Sequence, residues 1–128
     1  SSNDWKATGM ILLVDDEEPV LKVGEALLKR MGFGVLKARD GIEALDVFNR
    51  HGEAIVCVVL DLSMPRMGGE ETFQRLREQA PELPILVASG YNARDVTGRF
   101  SNQKHTLFLH KPYTSEQLHD ALGTLLSE

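Results

Sequence analysis

Residues 11–18 read ILLVDDEE, and in this stretch four apolar residues run directly into four acidic ones. The apolar half is too short for a helix and is typical of a buried β-strand. Like charges at the end of such a strand lie beside a low-dielectric core, where their mutual repulsion costs several kcal/mol. The stretch therefore predicts that a positively charged group is bound where this strand ends.

Four more short apolar runs predict four further strands, and segments with helical spacing separate them. Thr114 and Gln117, for example, predict a capping box at the start of an amphipathic last helix. The helix predicted within residues 92–104 has the weakest pattern, because this segment is polar and contains a glycine. Strict alternation of β and α units predicts an α/β fold, a doubly wound parallel sheet with helices on both faces. The predicted strands are residues 10–14, 33–38, 55–60, 85–88 and 106–109.

The amino-acid composition limits the classes of protein to which the chain can belong. The chain has 128 residues, 42% hydrophobic and 26% charged, which is typical of one globular domain. A formal net charge of −5 argues against nucleic-acid binding, since phosphate recognition needs a surplus of Lys and Arg. Cys57 is the only cysteine, so no internal disulfide can form, and its apolar neighbours predict a buried side chain.

The chain has no apolar run near the roughly 20 residues that a membrane span needs. We therefore expect no membrane insertion and a reducing, cytoplasmic setting. Residues 1–9 are mostly polar and lack the apolar core of a signal peptide, so we expect a linker or a remnant of cloning there. The domain itself is expected to span residues 10–128.

Chemically active side chains fall where four of the predicted strands end. They are Asp15 and Asp16, Asp61, Ser89 and Lys111. If the strand order is 2-1-3-4-5, these four strands are neighbours, and ligands bind beyond the carboxyl ends of such sheets. Three converging carboxylates form the hard oxygen site that Mg²⁺ prefers. Asp61 could then act as a nucleophile toward phosphorus, with Lys111 and Ser89 holding phosphoryl oxygens.

Four motifs together resemble the receiver domain of two-component response regulators. They are DD at 15–16, DLSMPRMGG at 61–69, ASG at 88–90 and HKPY at 110–113. The resemblance covers about residues 10–127 and implies a flavodoxin-like (β/α)5 fold with five parallel strands in the order 2-1-3-4-5. It implies a signalling phosphoacceptor that promotes its own phosphorylation and dephosphorylation, rather than an enzyme. The implied phosphodonor is a histidine kinase or a phosphotransfer protein.

The resemblance also implies a role for each matched position. Asp61 would be the phosphoacceptor, and Lys111 would contact the phosphoryl group. The implied Mg²⁺ ligands are Asp15, Asp16, Asp61 and the backbone carbonyl of Ser63. A cis peptide bond is implied between Lys111 and Pro112, which an X-Pro bond tolerates.

The implied switch consists of Ser89 and the aromatic residue Phe108. Phe108 lacks the hydroxyl of the more common tyrosine, so only packing could report the switch. Phosphorylation would then alter partner binding on a surface built from the weakly predicted fourth helix, the fifth strand and the last helix. The positions expected to tune the lifetime of the phosphate are Ser63 and Tyr91.

Each of these residues also has an ordinary structural interpretation. Asp16 could cap the first helix, Asp61 could form a turn, Lys111 could be a solvated lysine, and Phe108 could be plain core. Asp16, Asp61, Ser89 and Lys111 all fall at the ends of neighbouring strands, and this favours the functional interpretation. We also weighed a pseudo-receiver that binds partners without phosphorylation, which the complete set of site residues disfavours.

Two enzyme or ligand-binding classes fit less well. A phosphohydrolase of the haloacid-dehalogenase type needs a second acid two residues after its nucleophile, where Ser63 stands. A nucleotide-binding domain needs a glycine- or hydroxyl-rich first turn, whereas residues 15–18 are DDEE. The polar lead before the first strand resembles the linker that precedes the C-terminal receiver of a hybrid sensor histidine kinase.

Overall fold

The computed structural model describes residues 7–62, 68–90 and 104–127. Its five strands form one sheet in the order β2-β1-β3-β4-β5, and every neighbouring pair is parallel. The predicted fold class and strand order are therefore confirmed. The strands are Met10–Val14 (β1), Gly34–Ala38 (β2), Ile55–Asp61 (β3), Ile85–Ser89 (β4) and Thr106–His110 (β5).

Four α-helices and one 3-10 turn connect or follow these strands within the described residues. The helices are Glu18–Met31 (α1), Gly41–His51 (α2), Gly69–Gln79 (α3) and Ser115–Leu126 (α4), and the turn is Gly52–Ala54. The helix predicted within residues 92–104 lies outside the described residues, except for Lys104, which is part of a turn. In the described part of the chain, no helix is long and apolar enough to cross a bilayer.

Three strands extend one residue beyond their predicted ends. Asp61 pairs with Ala88, and Ser89 pairs with His110, so these polar residues belong to the ladder rather than to the loops. The predicted strands ended at the last apolar residue of each run, but backbone pairing does not depend on the polarity of the side chain. The side chains of Asp61 and Ser89 therefore project from hydrogen-bonded strand backbone.

Helices cover both faces of the sheet, and alternate strand residues supply two cores. Leu12, Val58 and Val87 belong to a cluster with Phe73 and Leu76 of α3. The opposite cluster combines the other face of the sheet with residues of α1 and α4, and its buried members are Ile11, Leu13, Leu21, Leu28, Phe33, Cys57, Val59, Leu86, Leu118, Leu122 and Leu125. Cys57 is fully buried, as predicted, and burial raises the pKa of its thiol to about 12. Because both faces are covered, the sheet offers its edges and strand ends for chemistry.

The helix starts follow local capping chemistry. Thr114 and Gln117 form the predicted capping box at the start of α4. The simple interpretation of Asp16 as a helix cap is wrong, because the N-cap residue of α1 is Glu17 and no side chain caps it. Asp40 caps α2 by accepting a hydrogen bond of 2.8 Å from the backbone N–H of Glu43.

Gly69 lets α3 begin directly against the end of β3. A Cβ at this position would overlap Leu62 Cα and lie 2.7 Å from the carbonyl oxygen of Asp61. The Gly69 N–H donates to the Leu62 carbonyl at 3.3 Å. By contrast, a Cβ on the adjacent Gly68 would meet nothing within 4 Å.

Gly69→Ala is expected to lower the free energy of unfolding by about 1–3 kcal/mol, because the added methyl must displace backbone at the end of β3. Gly68→Ala is the matched control and should cost less than about 1 kcal/mol, since it only weakens the helix cap. Urea unfolding of both variants measures the difference. Equal stability of the two variants would contradict the close approach of α3 to β3.

Candidate acidic site at the strand ends

Three carboxylates converge at the carboxyl ends of β1 and β3. Asp15, Asp16 and Asp61 each offer an oxygen atom, and these atoms all lie within 4.8 Å of one another. Asp15 and Asp61 are only 4% and 2% exposed, whereas Asp16 is exposed to solvent. The two buried acids meet because β1 and β3 are neighbours in the sheet. Such a donor set fits a hard divalent cation, which takes carboxylates and water as ligands.

Backbone hydrogen bonds fix Asp15. Its N–H donates to the Ala38 carbonyl at 3.1 Å and so prolongs the pairing of β1 with β2. Its carboxylate Oδ1 accepts from the backbone N–H of Glu17 at 3.0 Å. The remaining oxygen, Oδ2, points toward Lys111.

Lys111 lies between the two buried acids. Its Nζ is 3.0 Å from Asp15 Oδ2 and 3.6 Å from Asp61 Oδ1. Burial by itself would lower the pKa of Lys111, but the hydrogen bond to Asp15 and the charges of Asp61, Asp15 and Glu17 outweigh it, and the pKa is raised. The ammonium group therefore stays charged and partly neutralises the acids. Lys111 therefore supplies part of the positive charge that the acidic residues after the first strand were predicted to bind.

The backbone around Lys111 is also defined. Its N–H donates to the carbonyl of Ser89 at 2.9 Å, which carries the β4–β5 pairing past the last ladder residue. The Lys111–Pro112 peptide bond is cis, the geometry that the resemblance implied. The lysine side chain is thus presented by the end of β5 over the ends of β1 and β3.

The other predicted site residues have different positions. Ser89 is fully buried at the end of β4, the strand that pairs with β3. Phe108 is half-buried in the middle of β5 and packs against the core on the α2 and α3 face. The carbonyl of Ser63 and the side chain of Tyr91 lie outside the described residues.

Sequence reasoning missed an apolar groove beside the acids. Its volume is about 510 Å³. The groove runs between α1 and the loop that joins β5 to α4, and its lining residues are Pro19, Val20, Val23, Gly24, Leu27, Gly90, Lys111, Pro112 and Tyr113. Val23 is 61% exposed on α1, away from the buried face of that helix. The sequence signal that could have indicated the groove was Val23, a β-branched apolar residue on the solvent side of α1.

The comparisons with known proteins agree with this geometry. The family model that matches is the response regulator receiver domain, over residues 11–123. The chain belongs to this family of two-component signalling modules.

Several relatives carry the domain in different settings. The chain is 38% identical over 120 residues to the response regulator MprA of Mycobacterium sp. (strain KMS), and it covers 50% of that protein. It is 29% identical over 127 residues to the sensor kinase CckA of Brucella abortus (strain 2308), of which it covers 13%. In both comparisons the match takes in more than nine-tenths of this chain, at 91% and 99%. The chain therefore spans half or less of the length of these relatives.

Solved structures show the same fold. A receiver domain protein from Clostridium thermocellum superposes with a TM-score of 0.85 at 25% identity, over 93% of this chain and 94% of that one. The receiver domain of the hybrid histidine kinase CckA superposes with a TM-score of 0.78 at 30% identity, over 92% of this chain and 99% of that one.

The position of Lys111 generates a prediction about cation binding. Its ammonium lies against two of the three carboxylates, so it competes with any divalent cation for their negative charge. Lys111→Met should tighten Mg²⁺ binding by roughly three- to tenfold, because one nearby positive charge is removed. Isothermal titration calorimetry with Mg²⁺ measures the change. Lys22→Met, which removes an exposed lysine of α1, is the charge-matched control and should leave the affinity unchanged; weaker binding in Lys111→Met would refute the competition.

Proposed function

We propose that this chain is a phosphoacceptor receiver domain in which Asp61 takes a phosphoryl group from a phosphohistidine. The donor is a histidine kinase or a phosphotransfer protein. The observation that carries the proposal is the convergence of Asp15, Asp16 and Asp61 within 4.8 Å, with Lys111 against two of them. A binding module that worked without phosphorylation would have no need for this costly cluster of buried charge.

Asp15, Asp16 and Asp61 are the side chains that would hold Mg²⁺, together with the carbonyl of Ser63. When bound, the cation supplies positive charge to the oxygens of the transferring group and offsets their repulsion from the carboxylates. The three acids differ in role because they differ in surroundings. Asp15 is tied to Glu17 and Lys111, and Asp16 faces solvent. Asp61 lies at the end of the central strand in the position that the receiver motif gives to the acceptor, and we assign it that role.

The transfer itself is a displacement at phosphorus. A carboxylate oxygen of Asp61 attacks the phosphorus atom, a P–O bond forms, and the P–N bond to the donor imidazole breaks with its electron pair. The released imidazole nitrogen takes a proton from solvent, and the product is an acyl phosphate. Lys111, already near Asp61, lies within reach of the incoming oxygens as a point charge.

Phosphorylation then changes the partners of the switch residues. Lys111 exchanges its contact with the Asp61 carboxylate for one with the phosphoryl group. The hydroxyl of Ser89, at the end of the strand beside Asp61, donates to a phosphoryl oxygen. Phe108, on the strand that carries Lys111, repacks in response, and the changed surface alters affinity for a downstream partner.

Replacing the acceptor tests this assignment. Asp61→Asn should abolish labelling by acetyl phosphate in the presence of Mg²⁺, because the amide cannot form the acyl phosphate. Intact-mass measurement detects the added phosphoryl group. Asp40→Asn is the matched control, since it is also a buried acid after a strand and asparagine caps a helix equally well. Label retained on Asp61→Asn would exclude Asp61 as the acceptor.

The apolar groove beside the acids is the proposed docking surface for the phosphodonor. A donor histidine that reaches Asp61 must bring its surrounding surface over the rim formed by α1 and the loop after β5. That rim is almost entirely apolar, and it includes exposed Val23 on α1 and Pro112 and Tyr113 on the loop after β5. It therefore fits a partner that carries an apolar ridge beside its histidine.

Charge placed in the groove should separate docking from chemistry. Val23→Asp is expected to slow transfer from an autophosphorylated histidine kinase that labels the wild-type chain by roughly five- to tenfold, as for a central interface contact. Labelling by acetyl phosphate should be unchanged. Ile42→Asp is the matched control, because Ile42 is 50% exposed on α2, outside the groove. Equal slowing by both substitutions would rule out the groove as the docking surface.

A further inference from the structure

Arg77 of α3 connects two loops at the end of the molecule opposite the acidic site. Its Nη1 donates to the carbonyl oxygens of Ala80 at 3.3 Å, Pro81 at 3.0 Å and Leu83 at 2.7 Å. These acceptors belong to the end of α3 and the turn before β4. One nitrogen of the guanidinium group thus restrains the backbone of the turn that leads into β4.

The other terminal nitrogen of Arg77 reaches the start of β5. Nη2 donates to the Thr106 hydroxyl oxygen at 2.8 Å and to the His105 carbonyl at 3.3 Å. The Thr106 hydroxyl in turn donates to the Lys104 carbonyl at 3.0 Å. The planar, two-sided guanidinium therefore bridges the turn before β4 and the start of β5, whose acceptors lie 28 and 29 residues from Arg77 in sequence.

The environment of this guanidinium is costly. Burial lowers the pKa of Arg77, and its Nε is buried with no hydrogen-bond partner in the described part of the chain. The guanidinium carbon lies 5.3 Å from the centre of the Phe73 ring, which supplies a favourable cation–π contact. Because a buried unpaired donor is unfavourable, the hydrogen bonds of the two terminal nitrogens must outweigh it.

His105, whose carbonyl Arg77 contacts, has an unusual backbone conformation. Its φ of 58° lies in the left-handed region, which residues other than glycine adopt at a cost. Two donors fix its carbonyl, the Ile85 N–H at 2.9 Å and Arg77 Nη2. The chain thus enters β5 through a strained residue that is held in place from both sides.

β5 is less enclosed than its neighbour. Among the described residues it is the edge strand and pairs with β4 alone, and its residues are half-buried or exposed, whereas all five residues of β4 are buried. Strand register matters here, because a slip of one residue turns every side chain to the opposite face. Such a slip would remove Lys111, which directly follows β5, from Asp15 and Asp61.

We propose that Arg77 is a positioning residue that fixes the start of β5 and so sets where Lys111 stands in the acidic site. The strand is then held at both ends, by the guanidinium at Thr106 and by the ion pairs of Lys111. The effect on phosphoryl transfer rests on the proposed function, whereas the anchoring of β5 does not.

The experiment combines hydrogen exchange with labelling. In Arg77→Met, amides of residues 104–107 should exchange about tenfold faster, while those of β1 keep their rates, because only local opening is affected. Labelling by acetyl phosphate with Mg²⁺, at a temperature where every variant is folded, should slow at least about threefold as Lys111 loses its position. Arg75→Met, an exposed arginine paired with Glu71 on the same helix, is the matched control and should change neither quantity.

Two milder variants keep the inference testable if Arg77→Met folds poorly. Thr106→Val removes the hydroxyl that accepts from Arg77 and donates to the Lys104 carbonyl, and it should raise exchange at 104–107 in the same direction. Arg77→Lys keeps the charge but cannot bridge both loops, so it should not restore wild-type exchange. Full restoration by lysine, or unchanged exchange in Arg77→Met, would overturn the anchoring role. Faster exchange with unchanged labelling would overturn the positioning of Lys111. If the wild-type chain takes no label, the proposed function fails and the exchange data alone decide the anchoring role.

Discussion

The repulsion between two buried carboxylates is the constraint on which this structure depends. Asp15 and Asp61 are almost inaccessible to water at the ends of adjacent strands, so solvent screens the repulsion between their carboxylates only weakly. Lys111 lies against both and supplies one positive charge where two negative charges meet. One positive charge does not balance the three carboxylates that converge there, and this imbalance is the physical basis for proposing that the site takes a dication and a phosphoryl group.

The fold supports this arrangement by giving each charged residue a rigid backbone. Asp61 belongs to the ladder with β4, and backbone hydrogen bonds beyond the ladders hold Asp15 and Lys111. Gly69 allows α3 to start against the end of β3, where any side chain would collide with the Asp61 and Leu62 backbone. At the far end of the sheet, Arg77 anchors the strand that carries the lysine. Precise placement of the charges thus depends on contacts at both ends of the sheet.

Much of the site was predictable because its residues lie at or directly after the carboxyl ends of strands. Once five parallel strands were expected, Asp15, Asp61, Ser89 and Lys111 had to share one edge of the sheet. The features that sequence reasoning missed all depend on packing between distant elements. The groove needs α1 and the loop after β5 to face each other, and the bridging role of Arg77 needs two loops to meet. The ordinary alternative for Asp16, that it caps α1, is excluded by the structure, because Glu17 takes the N-cap position.

The sequence by itself determined the class of fold and the chemical character of the site. The spacing of apolar residues and the positions of Gly and Pro are local properties. They suffice to predict the succession of strands and helices along the chain and the polar residues that follow each strand. Only the tertiary structure decided which charges touch, because a distance of 3.0 Å between Lys111 and Asp15 joins residues 96 positions apart. It also decided which apolar side chains remain exposed beside the site, since exposure depends on what every other element covers.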